Sequence, residues 1–277
     1  MGMWGLMKKH LKTFGKILLL LIIYYVMQIL CAIPIMVNVV MKELKDGNMD
    51  KTYINNFVYS NMMYALIPAI IISLFIYFLM YRKNAKNLIA RCNFKMISFA
   101  EVMNIIVIIT GASMVIGGIS YYFSKYFPSY EQTSQSIQAG EQTLLGIIVV
   151  VILAPIFEEI LFRGIILSEI RENLNIILAV VLQGVAFGIY HMNLFQGLYA
   201  GVLGIILGFI CVRVNSLTGS IVGHITFNLT GSLLIPLAIY YSQNYAYLYI
   251  GFGIIILIIS LIKFYYSTKE KIFCQEV

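Results

Sequence analysis

Long apolar stretches with almost no charged residues alternate along this chain with short polar, basic segments. A helix needs about 20 apolar residues to cross the hydrocarbon core of a bilayer. The uncharged stretches 173–212 and 214–262 are each too long for one such helix, so we divide each at a turn, at Asn193 and at Ser242–Asn244. The pattern predicts an all-α, polytopic integral membrane protein with about eight transmembrane helices. The predicted spans are 17–41, 57–81, 99–124, 143–164, 175–192, 195–213, 219–241 and 245–264.

We expect three parts along the chain. Residues 1–140 hold helices one to three with their loops, residues 141–240 hold a core of helices four to seven, and residues 241–277 hold the last helix and a basic tail. The apolar fraction of 61% and the charged fraction of 11% lie far outside the range of soluble domains. No soluble domain is therefore expected.

The basic residues predict the orientation in the membrane. With a cytoplasmic N-terminus and eight spans, the inner segments hold 15 of the 19 Lys and Arg residues and the outer loops hold the other 4. This distribution fits the positive-inside rule and predicts that both termini are cytoplasmic. Membrane orientation also accounts for the net charge of +7, so a nucleic-acid partner is not needed to explain it. We expect a multi-pass protein of the cell membrane, in contact with lipids.

Two adjacent glutamates, Glu158 and Glu159, interrupt the fourth apolar stretch. An acidic residue inside a membrane is a candidate functional residue because an uncompensated carboxylate is costly there. Glu159 and Arg163 are four residues apart on a helix, which predicts an ion pair, whereas Glu158 points about 100° away. Pro155 is expected to bend the helix just before the glutamates. The spacing predicts that Arg163 holds Glu159 while Glu158 meets a partner on another helix.

Two further pairs of residues have helical spacing in later apolar stretches. Phe187 and His191 share one helix face, and so do His224 and Asn228. Counted along the helices, Glu158 and His191 lie at similar depths and could meet. His224 follows a turn closely and reaches that depth only if the turn enters the bilayer or the site opens to the cytoplasm. Asn228 and the two histidines would supply hydrogen-bond donors and proton acceptors.

Glycines recur at spacings of four in the predicted fifth and sixth helices. The pairs are Gly184/Gly188, Gly197/Gly201 and Gly204/Gly208. Such small-residue spacings favour close approach of membrane helices.

The sequence lacks the residues on which several hydrolase classes depend. The two aspartates, Asp46 and Asp50, lie in the first loop, so no aspartyl dyad is expected, and neither H-E-x-x-H nor a serine nucleophile motif stands in a plausible place. If zinc were bound, Glu158, His191 and His224 would be its ligands. Asn228 is a poor zinc ligand and a good oxyanion donor, so we favour a site without a metal or cofactor.

The three motifs together resemble a known family. The motifs resemble, in order, those of the CAAX-processing and bacteriocin-processing (Abi-type) intramembrane proteases: Glu158-Glu159-x-x-x-Arg163, Phe187-x-x-x-His191 and His224-x-x-x-Asn228. The family name describes these proteins as metalloproteases. The resemblance covers about residues 140–230. It implies that Glu158 with His191 activates a water, that His224 and Asn228 stabilise the oxyanion, and that Glu159, Arg163 and Phe187 support them.

The resemblance implies an intramembrane endopeptidase that cleaves a membrane-associated peptide or protein. Pheromone maturation, bacteriocin self-immunity and CAAX-like processing are the activities expected for such a protein, and the Ile-, Lys-, Asn- and Tyr-rich composition points to a bacterium. Two other classes stay open. One is a transporter or channel in which Glu158 and His191 relay protons, although no inverted repeat is evident. The other is a non-catalytic membrane scaffold.

Overall fold

The computed structural model describes residues 3–46, 51–84, 86–241 and 245–268. The secondary-structure elements of the described residues are all helices, as the apolar pattern predicts. The α-helices are α1 (Met3–Asp46), α2 (Lys51–Tyr81), α3 (Leu88–Cys92), α4 (Phe99–Phe123), α5 (Pro128–Gly140), α6 (Leu144–Ile148), α7 (Ala154–Glu159), α8 (Leu167–Arg171), α9 (Ile176–Tyr190), α10 (Leu194–Val214), α11 (Leu217–Leu229), α12 (Ile235–Tyr241) and α13 (Ala246–Ser267).

Seven helical segments among the described residues are long and apolar enough to cross a membrane. They are 7–42, 63–81, 99–126, 144–171, 194–214, 217–238 and 247–267. The fifth predicted span is α9, whose 15 residues rise only about 22 Å. The chain is therefore an all-α, multi-pass membrane protein, with each predicted span falling on an apolar helix. The predicted turn at Ser242–Asn244 lies outside the described residues.

Some predicted boundaries were wrong. The first helix runs from Met3 to Asp46, well beyond the predicted 17–41, because polar and basic residues continue the helix outside its apolar centre. Residues 128–140, predicted as loop, form α5.

Single polar residues cap the later helices: Asn175, Asn193 and Ser216 each accept a backbone N–H at the start of α9, α10 and α11.

The chain forms two compact units. The first comprises residues 1–88 and 132–157, and the second comprises 89–131 and 158–277. In the first unit α1 packs along α2, where the Tyr77 hydroxyl donates a hydrogen bond of 2.7 Å to the Leu20 carbonyl. The rings of Tyr24 and Phe157 are 4.3 Å apart between centroids.

The second unit contains all the predicted site residues. In it α4 packs against α11 and α13, and α9 packs against α10. Its apolar core consists of Ile105, Ile108, Ile109, Leu203, Leu207, Ile210, Val214 and Phe264.

Glycines bring α9 and α10 together, as their spacing predicts. A Cβ on Gly188 would lie 2.4 Å from the Gly197 carbonyl oxygen, and one on Gly204 would lie 2.9 Å from the Gly184 Cα. These distances are too short for any side chain, so the backbones touch directly. The close packing fixes α10 beside the site.

Candidate active site

The segment Leu144–Arg171, which we call the glutamate helix, carries Glu158, Glu159 and Arg163. Two π-helical stretches, Val149–Leu153 and Ile160–Ile166, flank the short α7 that contains Pro155 and both glutamates. π-Helical insertions of this kind occur often at functional sites, because they rotate side chains out of the regular α-helical register.

Glu159 and Arg163 form the predicted ion pair. Arg163 Nη1 lies 2.7 Å from Glu159 Oε1, and both side chains are completely buried. Arg163 Nη2 also donates to the Gly204 carbonyl at 3.0 Å, and the guanidinium lies 4.6 Å from the centroid of the Phe187 ring. Charge pairing, a carbonyl acceptor and an aromatic face together offset the cost of burying this arginine.

His224 lies between the two glutamates. Its Nδ1 is 2.8 Å from Glu159 Oε1, and its Nε2 is 3.6 Å from Glu158 Oε2. An ionised carboxylate only accepts hydrogen bonds, so the contact with Glu159 places a proton on Nδ1. In neutral His224 the Nε2 lone pair therefore faces Glu158. When Nε2 is protonated as well, Glu159 balances the charge of the ring.

His191 has the same tautomer for a different reason. It caps the C-terminal end of α9, and its Nδ1 lies 2.9 Å from the Phe187 carbonyl oxygen. A carbonyl oxygen can only accept, so Nδ1 carries the proton and the neutral ring has its lone pair on Nε2. The Glu158 carboxylate acts electrostatically on this ring. His191 thus has a free proton-accepting nitrogen in the field of Glu158.

Phe187 connects the parts of the site. Its ring is perpendicular to His191 with centroids 4.8 Å apart, and perpendicular to His224 with centroids 5.6 Å apart. The same ring lies against the Arg163 guanidinium. Edge-to-face contacts of this type are favourable and directional, so Phe187 orients both histidines.

Glu158 differs from Glu159 in its surroundings. Its side chain is 14% exposed, against 0% for Glu159. The separation of 3.6 Å from His224 Nε2 is longer than a hydrogen bond, so the two groups lie close together without bonding directly. Asn228 follows one turn after His224 on α11 and is partly buried.

Sequence reasoning missed two contributors. The amide of Gln183, which is fully buried on α9 four residues before Phe187, donates to the Gly204 carbonyl at 2.7 Å. That carbonyl accepts from Arg163 as well. A lone amide in an otherwise apolar stretch was the available signal for Gln183, whereas a backbone carbonyl leaves no sequence signal.

The described residues contain no group of three or more metal-ligating side chains placed to hold a metal ion. In the predicted zinc set of Glu158, His191 and His224, the Nδ1 of His224 is bonded to Glu159. Only its Nε2 is left for a metal, and that atom faces Glu158. With both histidines neutral, Glu158 and the two Nε2 atoms are all acceptors, and such a set can accept hydrogen bonds from a water.

The fold and this site define a polytopic membrane protein with a buried glutamate–histidine centre. Residues 140–230 match the family model described as "Type II CAAX prenyl endopeptidase Rce1-like". This match agrees with the resemblance that the three motifs indicate over the same residues. The matched residues begin before the glutamates and end just after Asn228.

A curated relative supports the same class. The chain is 36% identical over 80 residues to a Bacillus subtilis (strain 168) protein named "Putative membrane peptidase YdiL". The alignment covers 29% of this chain and 33% of the relative, so the chain matches about a third of that protein's length. No solved structure matches the chain.

Proposed function

We propose that this protein is an intramembrane endopeptidase that hydrolyses a peptide bond with a water activated by Glu158 and His191. The observation that carries the proposal is the division of labour between adjacent glutamates. Glu159 is neutralised by Arg163 and holds His224, whereas Glu158 has no arginine four residues along its own helix face. A partly exposed carboxylate that lies 3.6 Å from His224 and acts electrostatically on His191 is suited to general-base chemistry.

In the proposed reaction, the water oxygen attacks the carbonyl carbon of the scissile bond. Its proton passes to Glu158, with the Nε2 of His191 as a second acceptor. His224, doubly protonated with its charge balanced by Glu159, donates from Nε2–H to the oxyanion that forms, and so does the Asn228 amide. Collapse of the tetrahedral intermediate breaks the C–N bond, and the proton held by the base goes to the leaving amine. The products are a carboxylic acid and an amine.

Glu159 and Arg163 support this chemistry without contacting the substrate. Glu159 keeps the Nδ1 proton on His224 and balances the charge when the ring is protonated. This is the role that a buried carboxylate has behind a catalytic histidine in other hydrolases. Arg163 keeps Glu159 ionised in a buried environment.

We propose a metal-free route and a membrane-associated peptide or protein as substrate. The first part follows from His224, which is held by Glu159 through one ring nitrogen, and from Asn228, which suits an oxyanion better than zinc. The second part is supported by the membrane fold and by the names of the matched family and of the relative. Peptide-pheromone maturation, bacteriocin self-immunity and CAAX-like processing are the candidate pathways.

The test uses the full chain reconstituted in liposomes and a panel of amphipathic peptides with and without a prenylated C-terminal cysteine. Cleavage is followed by mass spectrometry. Glu158→Gln should lower kcat about 10²–10⁴-fold, the usual contribution of a general base, without lowering the amount of folded protein. Glu131→Gln, an exposed glutamate on α5, is the matched control and should retain full activity.

The same assay separates the alternatives. Activity that survives chelation and dialysis supports the metal-free route. Activity lost on chelation and restored by zinc would make Glu158, His191 and His224 ligands. Full cleavage by Glu158→Gln would overturn the peptidase proposal, and proton flux that depends on Glu158 without cleavage would favour a proton relay.

A further inference from the structure

The segment 89–98, which we call the connector, joins the first unit's helices to α4 and lies outside the residues that match the family. Its side chains make a dense set of polar contacts with two later parts of the second unit. One part is the end of the glutamate helix, and the other is the start of α11, the helix that carries His224. Neither set of contacts is explained by the proposed chemistry.

The first anchor joins the connector to the glutamate helix. Arg91 Nη1 lies 3.2 Å from Glu169 Oε1 and donates to Ser168 Oγ at 3.1 Å, and Arg91 Nη2 lies 3.1 Å from Glu172 Oε1. The side chains of Arg91 and Glu169 are 4% and 1% exposed. A buried arginine with this many acceptors is fixed in one geometry.

The next residue packs against the same helix one turn closer to the site. A Cβ on Gly164 would lie 2.8 Å from the Cys92 Sγ, so the thiol occupies the space that the glycine leaves open. Gly164 follows Arg163 directly and lies about 7 Å along the helix from Glu159. The connector therefore touches the glutamate helix within two turns of the ion pair.

The second anchor joins the connector to the start of α11. Asn93 Nδ2 donates to the backbone oxygen and to Oδ1 of Asn215, at 2.8 and 2.9 Å. Ser216 Oγ donates to the Lys95 carbonyl at 2.7 Å and accepts from the Lys95 backbone N–H at 3.0 Å. Ser216 is the N-cap of α11 and precedes His224 by eight residues, about 12 Å along the helix.

Both asparagines have left-handed backbones, with φ of 43° for Asn93 and 51° for Asn215. Asparagine adopts this conformation more readily than most residues, at a small cost. Two such turns facing each other make a rigid junction between the connector and α11. The junction fixes where α11 begins relative to the connector, and therefore fixes the position of His224 along the helix axis.

We propose that the connector is a positioning element that sets the distance between Glu158 and His224 by holding the glutamate helix and α11 in register. The glutamates and His224 come from helices that are far apart in sequence, and their contact at 2.8 Å to 3.6 Å tolerates little sliding. The connector is anchored to both helices on the side from which α11 begins. Its role in catalysis rests on the proposed function, whereas its role in helix register does not.

Two variants each weaken one anchor without adding bulk. Asn93→Gly keeps the left-handed turn, because glycine adopts positive φ freely, and removes both hydrogen bonds to Asn215. Arg91→Lys keeps the positive charge beside Glu169 and removes the forked contact with Ser168 and Glu172. Lys83→Ala, an exposed residue shortly before the connector, is the matched control.

The first readout is a distance that does not depend on enzymatic activity. Spin labels at Arg171→Cys and Thr218→Cys report the separation of the glutamate helix from α11 in liposomes. Cys31, Cys211 and Cys274 are replaced by alanine, and Cys92 is kept because it fills the space at Gly164. Burial raises the pKa of the Cys92 thiol to about 12, so it stays protonated and unreactive during labelling.

We expect one narrow distance distribution in the parent and in Lys83→Ala, and a broadened or displaced one in Asn93→Gly and in Arg91→Lys. The second readout is kinetic. Misplacement of catalytic groups by about 1 Å can cost 10²-fold, so kcat should fall by up to about this factor with KM unchanged within about twofold. Combining the two variants should lower kcat little further, because the loss of either anchor already breaks the link between the glutamate helix and α11.

Unchanged narrow distributions in both variants would overturn the proposal, whatever the activity. A broadened distribution with normal kcat would also overturn it, because register would then not matter for the site. If no form of the protein cleaves any peptide, the proposed function fails, and the distances alone decide whether the connector sets the register.

Discussion

Two arginine–glutamate clusters lie in the second unit, and their difference separates chemistry from support. In one, Arg163 pairs with Glu159, which is fully buried and also holds His224. In the other, Arg91 pairs with buried Glu169 and half-exposed Glu172. Ion pairing and burial of an arginine are common to both, so neither property marks a reactive centre.

A histidine and a second carboxylate make the difference. In the Arg163 cluster, the ring held by Glu159 turns its other nitrogen toward Glu158. Arg91 donates to the Ser168 hydroxyl and to the Glu172 carboxylate and forms an ion pair with Glu169. The first cluster therefore has the groups that the proposed proton transfer needs, whereas the described contacts of the second cluster hold two segments together. Variants of each cluster test this distinction.

The largest effect on stability is expected from Arg163→Ala. The substitution leaves buried Glu159 with His224 as its remaining partner in the ion-pair cluster. Removing one member of a buried ion pair costs about 3–5 kcal/mol of stability. The loss should appear in unfolding by denaturant in mixed micelles. Peptide cleavage should fall as well, because Glu159 is no longer held by Arg163 and so no longer fixes His224. Arg163→Lys should recover part of the stability. Wild-type unfolding of Arg163→Ala would show that the pair is not a structural centre of the site.

The next effect concerns rate alone. Asn228→Ala should lower kcat by about 10²–10³-fold, or about 2.7–4 kcal/mol, if the amide supplies one oxyanion donor. KM should change little, because the donor acts on charge that develops in the transition state. Thr226→Ala on the same helix is the control, since its hydroxyl donates to the backbone carbonyl of Val222. An equal loss in both variants would mean that α11 was disturbed and that Asn228 has no specific role.

The sequence predicted the parts of this site better than their arrangement. The Glu159–Arg163 pair is confirmed because residues four apart on one helix face each other regardless of the rest of the fold. The close approach of α9 and α10 is confirmed as well, because glycines four residues apart line one face of each helix. The catalytic roles of Glu158, His191, His224 and Asn228, and the cytoplasmic termini, stay predictions.

The contact of His224 with both glutamates could not be predicted, because it depends on where α11 begins. Counting residues from the turn at Ser216 made the depth of His224 difficult to reconcile with Glu158. The structure resolves this through the connector, whose residues Asn93 and Lys95 hold Asn215 and Ser216. Hydrogen bonds between residues more than 100 positions apart leave no periodicity in a sequence.

The smallest effect is expected from Glu172→Gln in the second cluster. Its side chain is 48% exposed, and exposed ion pairs contribute about 0.2–1 kcal/mol. Arg91 keeps its buried contact with Glu169, so cleavage should stay at the wild-type level. The small loss of stability should shrink as salt is raised, because solvent ions screen an exposed pair and leave a buried one almost unaffected. Denaturant unfolding at low and high salt, with Glu169→Gln as the buried counterpart, measures this. A salt-independent loss of several kcal/mol, or a loss of cleavage at full stability, would show that the second cluster does more than hold the connector.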